Sequence, residues 1–256
     1  MIQCFKVPVP LPDGMEERNA YIYLPGSYFR NEKKRYPVLY MFDGHNIFFD
    51  SDATYGKSWG MTKFMNRSRT QMIIAAVECN HSPNNGRLEE YSPFSFQDPT
   101  FGFVHGRGKS TMEWFIYEFK SYIDSVYRTL PDRAHTFIAG SSMGGLMSLY
   151  ALLEYNSVFS RAAALSPSLW TAPEDIQNLI TQTAPKLDAD TVLYMDYGSE
   201  EMNYRPKLPD IFAKTADLLL RHQVALDCRI VPGGTHCEAS WERQIPFFMN
   251  TLLYRK

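Results

Sequence analysis

Three residue types, spaced through the second half of the chain, could together attack a carbonyl. Gly140-Ser141-Ser142-Met143-Gly144 lies between an apolar segment, Phe137-Ile138-Ala139, and a run of good helix formers reaching Leu152. That order reads as strand, abrupt turn, helix. A serine at the apex of such a turn has its hydroxyl lifted clear of the backbone, and small residues two before and two after it let strand and helix pack closely. Ser142 is therefore the candidate nucleophile. The helix behind it aims its N-terminal amides toward the place where an oxyanion would form.

A serine nucleophile needs a base. Of the six histidines, His236 is the best placed: it follows a strand pattern and the Gly233-Gly234 turn, where a loop can carry its ring over a sheet edge. His45, His81, His105, His135 and His222 lack that setting. Where such a turn carries the nucleophile, the chain order is nucleophile, acid, base. A carboxylate is thus expected at a strand end between Ser142 and His236. The strand pattern Val192 to Tyr197 ends in Gly198-Ser199-Glu200-Glu201, and either glutamate could orient the histidine through its second ring nitrogen. Asp196, inside the strand, is a further carboxylate and reads better as a hydrogen-bonded strand-end residue.

The elements that must position these residues alternate. Ile2 to Val9 and Asn19 to Leu24 alternate apolar and polar residues around Leu11-Pro12-Asp13-Gly14, which predicts a hairpin at a sheet edge. Tyr36 to Phe42 and Gln71 to Val77 are nearly continuous apolar runs, as expected of strands buried on two faces. Trp59 to Met65 is a short helix. Ser110 and Glu113 form a capping-box pattern ahead of Met112, Phe115, Ile116, Phe119, Tyr122, Ile123 and Val126, which share one helical face. Arg161 to Leu165, Thr191 to Tyr197 and Leu226 to Val231 are further strands. Helices are expected over Pro173 to Thr181, Lys207 to His222 and Glu238 to Leu253, the last with Pro246 inside it. Alternation of this kind predicts an α/β fold: a three-layer sandwich around a central, mostly parallel sheet, with the N-terminal antiparallel hairpin on its edge.

Composition narrows the classes. A chain of 256 residues, 45% hydrophobic and 21% charged, is long enough for one large domain, and no repeat, low-complexity stretch or linker divides residues 1–256. The formal net charge of −2 and the lack of a basic block argue against nucleic acid as a partner. No export signal and no apolar run of membrane-crossing length is present, so a cytoplasmic protein without membrane association is expected. Cys4, Cys79, Cys228 and Cys237 are scattered without a CxxC pattern, which fits reduced thiols. A homo-oligomer stays open, since an apolar interface cannot be told from core in the sequence.

Taken with the turn around Ser142, six further stretches carry a resemblance: Met41-Phe42-Asp43-Gly44-His45-Asn46, Glu90-Tyr91-Ser92-Pro93, Tyr127-Arg128-Thr129, Leu165-Ser166-Pro167-Ser168-Leu169-Trp170, Gly233-Gly234-Thr235-His236, and Trp241 behind the last. The chain resembles, over nearly its whole length, the esterase D-like family of α/β-hydrolases. That family includes S-formylglutathione hydrolases, feruloyl and acetylxylan esterases, siderophore (enterochelin-type) esterases and extracellular mycolyltransferases. The resemblance implies Ser142 as nucleophile, His236 as base and Glu201 as acid, because relatives tend to place the acid three residues after the glycine matching Gly198. It implies a cofactor-free carboxylic-ester hydrolase acting on a small or medium-sized ester, acetyl, feruloyl or similar, with a siderophore esterase as the alternative. Two departures stand out. The acid is often aspartate in relatives, and His45 stands where relatives often carry glutamine.

One oxyanion donor is expected to be the amide of Met143, directly after the nucleophile; the second should come from the loop after the third strand, at Gly44 or His45. Asp43, His45, Asp50 and Asp52 are all ligand types, but their spacing matches no familiar metal site and a serine mechanism needs none. Asp43 is expected to brace its loop through nearby amides. Residues 80–109 lack a clear period and are rich in glycine and aromatics, as expected of a binding loop or lid. Tyr91 is a candidate to line the substrate pocket, although such rings could equally pin the loop to the core. Arg87, Arg107 and Lys109 read as solvated surface charge. Trp170, at a strand end on the same sheet edge, is the stronger pocket candidate. A catalytically silent hydrolase-fold binding scaffold is the reading from another class; it would call for loss of a triad member, and none is missing.

Overall fold

The computed structural model describes residues 1–202 and 205–253. Two N-terminal strands, β1 (Ile2–Leu11) and β2 (Gly14–Tyr23), pair antiparallel about a two-residue Pro12-Asp13 turn, with Leu11 opposite Gly14. The chain then runs through β3 (Val38–Met41), α1 (Met61–Ser68), β4 (Ile73–Val77), α2 (Gly86–Glu90) and a small hairpin of β5 (Phe96–Asp98) and β6 (Gly102–Val104). Next come α3 (Gly108–Trp114), a π-helical stretch (Phe115–Lys120), α4 (Ser121–Val126), β7 (Thr136–Ser141), α5 (Met143–Glu154), β8 (Arg161–Leu165) and α6 (Pro173–Thr183). The last part holds β9 (Val192–Gly198), α7 (Ser199–Met202), α8 (Leu208–Arg221), β10 (Ala225–Val231) and α9 (Glu238–Leu253).

The main sheet has eight strands in the order β1-β2-β4-β3-β7-β8-β9-β10. β2 joins β4 antiparallel, and every pairing beyond that is parallel. A parallel sheet must be covered on both faces, and β3 shows how. Val38 and Tyr40 enter the core shared with α5, α6 and α8, while Leu39 and Met41 enter the core shared with α1 and α9. This is the α/β-hydrolase three-layer arrangement. α5 is buried from Met143 to Leu153 and packs on β7 and β8, which explains a helix that is apolar nearly all round.

Two local expectations change. The helix after the insertion begins at Gly108, not at Ser110, and Ser110 Oγ donates to the Arg107 carbonyl at 2.9 Å. The chain enters the helix early because Gly108 is pressed against Met147 and the Ser92-Pro93 backbone, where a Cβ would come within 2.9 Å of its neighbours. Farther along, Met112, Phe115, Ile116, Phe119 and Ile123 are buried, but Tyr122 and Val126 are exposed. The π-helical stretch adds residues to its turn and rotates the next turn of helix, so Lys120 points inward and pairs with Asp124 at 2.6 Å.

Residues 80–109 are also more ordered than a structureless loop. α2 and the β5–β6 hairpin lie within them, and Asp98 Oδ1 accepts the amides of Thr100 and Phe101 at 2.8 and 3.2 Å. No cysteine is paired with another. Among the described residues, no helix is long and apolar enough to cross a membrane.

Candidate active site

The C-terminal ends of the parallel strands carry the loops of interest: Asp43-Gly44-His45 after β3, Ser142 after β7, Ser166 after β8, Glu201 after β9 and His236 after β10. Ser142 sits between β7 and α5 with φ 58° and ψ −122°, a conformation that costs a non-glycine residue energy and persists only when its surroundings impose it. The bonds that impose it are the Ser142 amide to the Leu165 carbonyl at 2.9 Å, and the Leu146 and Ser168 amides to the Ser142 carbonyl, both at 3.0 Å. The glycine frame has a steric reason. A Cβ on Gly140 would lie 2.6 Å from the Gly144 backbone, and one on Gly145 would lie 2.7 Å from the Leu165 carbonyl oxygen.

His236 Nδ1 lies 2.7 Å from Glu201 Oε2. The other carboxylate oxygen, Oε1, accepts the Ser166 hydroxyl at 2.7 Å and the Gly198 amide at 2.9 Å. Ser166 Oγ in turn accepts Trp241 Nε1 at 3.0 Å, and the Trp241 ring stands nearly perpendicular to the His236 ring with centroids 5.1 Å apart. Glu201 is buried while the His236 side chain is 47% exposed, so the carboxylate is shielded and the imidazole faces the opening.

Of the three acids open in the sequence, only Glu201 reaches His236. The Glu200 side chain is exposed, and its amide donates to the Gly234 carbonyl at 3.0 Å. Asp196 points into the interior, where it accepts Tyr194 Oη at 2.6 Å and the Ser166 amide at 3.2 Å. Burial pushes its carboxyl up to about 7, against the opposing pull of those two bonds.

Ser142 and His236 line the same two clefts. One, of about 440 Å³, is bounded by His45, His81, Arg87 and Trp241. The other, of about 210 Å³, is bounded by Ser168, Trp170, Tyr197 and Arg205. The Ser142 hydroxyl itself lies 3.4 Å from Ser168 Oγ and makes no direct hydrogen bond to His236.

Gly44 and His45 open a short 3-10 turn, as Met143 opens α5. Amides at the start of a helical turn have no carbonyl within it to bond, so all three expected oxyanion donors are of the right kind. Gly44 must be glycine, since a Cβ there would lie 2.9 Å from the Val77 backbone. His45 is 5% exposed; its Nε2 is 3.1 Å from Thr54 Oγ1, its Nδ1 is buried without a partner, and burial lowers its pKa.

The brace on this loop is different from the one expected. Asp43, at φ 57°, is held by Arg87, whose Nε and Nη2 reach its two oxygens at 2.7 Å each, and Arg87 Nη2 also lies 3.5 Å from the Ser141 carbonyl oxygen. Burial alone would raise the Asp43 pKa, but the adjacent guanidinium outweighs it and holds the carboxyl below its usual range. Arg87 is thus a buttress between the loop after β3 and the turn after β7, not solvated surface charge. Asp50 instead accepts the Ser58 amide at 2.8 Å, and Asp52 takes Tyr21 Oη at 3.3 Å.

Tyr91 is also corrected. Only 1% of it is exposed, its ring packs on Phe42 at 5.0 Å, and its Oη accepts the Asp43 amide at 3.4 Å. It supports the loop from beneath and has no face toward substrate. Trp170 does line the smaller cleft, between Phe96 at 5.9 Å and the Arg205 guanidinium 3.5 Å from its ring centre. Sequence reasoning missed Ser166 and Arg205. Ser166 stands in the Leu165 to Trp170 stretch, whose strand-end position was the available signal; Arg205 has none.

The layered sheet, the strained serine turn and the loops gathered at the strand ends define an enzyme of the α/β-hydrolase fold. The chain belongs to the "Putative esterase" family, whose sequence profile matches residues 15–248, and it is a carboxylic ester hydrolase. It is 26% identical over 188 residues to the uncharacterized protein YbbA of Bacillus subtilis (strain 168), an alignment covering 72% of this chain and 69% of that one. It is 26% identical over 246 residues to endo-1,4-beta-xylanase Y of Acetivibrio thermocellus, covering 86% of this chain and 20% of that much longer one. Among solved structures, an IroE-like serine hydrolase from Shewanella oneidensis superposes with a TM-score of 0.74 at 20% identity, covering 98% of this chain and 79% of that one. That likeness is one of fold.

Proposed function

We propose that Ser142, His236 and Glu201 form a catalytic triad that hydrolyses small or medium-sized esters through an acyl-enzyme. His236 Nε2 takes the Ser142 proton as Oγ attacks the ester carbonyl; the imidazolium so formed is stabilised by Glu201 through Nδ1. The amides of Met143 and of Gly44 or His45 hold the tetrahedral oxyanion. His236 then protonates the departing alcohol, and water repeats the sequence to release the acid. Before attack, the Ser142 hydroxyl must turn from Ser168 toward His236.

The observation that carries this reading is the 2.7 Å bond from His236 to the buried Glu201 at the junction of two clefts that also reach Ser142. Two clefts meeting at one serine suit a substrate with two arms, acyl and alcohol. The smaller, faced by Trp170 and Tyr197, suits a compact or aromatic arm; the larger and more polar one suits the other.

The test is initial rates on p-nitrophenyl esters of increasing acyl length, followed by feruloyl and siderophore esters, with Ser142→Ala beside the wild type. Hydrolysis that the substitution removes supports the triad, and the length profile sizes the acyl cleft. Turnover surviving in Ser142→Ala would overturn the assignment.

A further inference from the structure

On the wall of the larger cleft, which also reaches His236, three side chains from two neighbouring strand ends converge without a role in ester hydrolysis. His45 stands on the turn after β3; Cys79 and His81 follow β4, the adjacent parallel strand. One donor atom from each lies within 4.8 Å of the others, the only such group of three His, Cys or carboxylate side chains among the described residues.

The second observation is the orphaned nitrogen. His45 is only 5% exposed, and its Nδ1 has no hydrogen-bond partner although Nε2 is engaged by the Thr54 hydroxyl. A buried polar atom left unpaired carries a desolvation cost. A ring nitrogen whose counterpart is anchored by a hydrogen bond is the arrangement a metal-ligating histidine shows, because the anchor fixes tautomer and ring direction. Cys79 is 3% exposed, and the His81 ring, exposed, stands 4.8 Å from that of His45.

We propose that His45 Nδ1, Cys79 Sγ and a ring nitrogen of His81 bind a thiophilic divalent cation of the Zn²⁺ type. Two imidazoles and a thiolate are the soft and borderline donors such an ion selects over Mg²⁺ or Ca²⁺. Tetrahedral Zn²⁺, with bonds of about 2.0–2.1 Å to nitrogen and about 2.3 Å to sulfur, draws its donors to roughly 3.3–3.7 Å apart. A shift of about 1 Å among the donors brings them to that spacing, with the exposed His81 free to turn toward the two buried ones. Binding replaces the Cys79 S–H bond by a metal–sulfur bond and releases one proton to solvent; nothing is oxidised or reduced. The fourth position faces the cleft shared with Ser142, so the bound cation narrows the space a substrate arm would fill.

Titration of the apo protein with CoCl₂ alone is the test, because a cobalt–thiolate bond adds a charge-transfer band in the near ultraviolet and tetrahedral cobalt adds visible bands. Both are expected at one equivalent and should vanish when ZnCl₂ displaces the cobalt. Cys79→Ser removes the charge-transfer band, whereas Cys237→Ser, beside His236, keeps it. His81→Ala, at an exposed position, weakens Zn²⁺ binding by at least about tenfold, since even an outer-shell partner of a metal site is worth roughly 10–100-fold. Absence of the bands in wild type, or a band that survives Cys79→Ser, would overturn the site. These readouts are independent of ester hydrolysis and stand whichever residue proves to be its nucleophile.

Discussion

Ser166 donates its hydroxyl proton to Glu201 Oε1 at 2.7 Å, on the side of the carboxylate away from His236. Ser166 itself is held with φ 43° at the end of β8 and accepts Trp241 Nε1 from α9. Glu201 is thus fixed by donors on one oxygen while the other faces the imidazole, so the orientation of His236 rests on β8, β9 and α9 together. If the triad is as proposed, Ser166 is a positioning residue. Ser166→Ala should lower kcat about 10- to 100-fold with little change in KM, in keeping with loss of a hydrogen bond to a charged group worth roughly 1.5–3 kcal/mol. Equal loss through KM alone would point to a binding role instead.

Replacing the proposed acid has a larger expected effect. Glu201→Gln keeps the size of the side chain but presents no full negative charge to the imidazolium, and kcat should fall by about 10³–10⁴. Glu200→Gln, at an exposed side chain, should leave kcat within a few-fold. Steady-state rates on one ester for both variants decide it, and the reverse ranking would move the acid to Glu200.

Arg87 and Asp43 make a testable pair of another kind. Removing the guanidinium leaves a buried carboxylate uncompensated, so Arg87→Met should destabilise the protein by about 3 kcal/mol, the lower end for breaking a buried ion pair because Arg87 is itself partly exposed. Adding Asp43→Asn should recover part of that loss. Urea unfolding of the two variants measures it, and a double variant no better than Arg87→Met would show that the charge was not the cause.

Asp196 sets a pH dependence of defined sign. Its folded pKa is raised to about 7 from the ordinary 3.8, so the fold favours the protonated form. Its contribution is fully present below the unfolded value and is lost as pH rises through about 7. Glu90, raised to about 7 mainly by burial, acts in the same direction. Asp196→Asn should therefore lose less stability than wild type between about pH 5 and pH 8. Parallel unfolding curves at the two pH values check this; identical losses would mean that Asp196 does not titrate there.

Trp170 separates the two clefts by substrate. Its ring, packed between Phe96 and Arg205, forms the wall of the smaller one. Trp170→Ala should raise KM for aromatic or compact acyl groups by about tenfold, as expected for losing a large aromatic contact, and leave stability little changed. A uniform loss of kcat across the ester series would place its role elsewhere.

Much of the fold and part of the site are legible in the chain itself. The turn around Ser142 carries its own signature, because only small residues let β7 and α5 meet at that angle. The apolar runs of β3, β4 and β7 announce burial on both faces, and the chain order of serine, carboxylate and histidine narrows the search to a few positions. Period and local sterics act between neighbours in sequence, and those are the features a sequence displays.

What only the tertiary structure decided lies across long separations. Glu201 meets His236 because Gly198 and Gly234 lie so close that a Cβ on Gly234 would come within 2.7 Å of the Gly198 Cα, bringing the loops after β9 and β10 into register. The residues by themselves leave Glu200 and Glu201 open, and only the spacing implied by the resemblance favours Glu201 ahead of that meeting. Arg87 looks like surface charge until the insertion folds it onto Asp43, and Tyr91 looks like a pocket residue until the same fold buries it beneath the loop after β3. Burial and partnership belong to elements brought together by packing, so the sequence by itself determined which residues were competent for the chemistry, and the tertiary contacts decided which of them face one another.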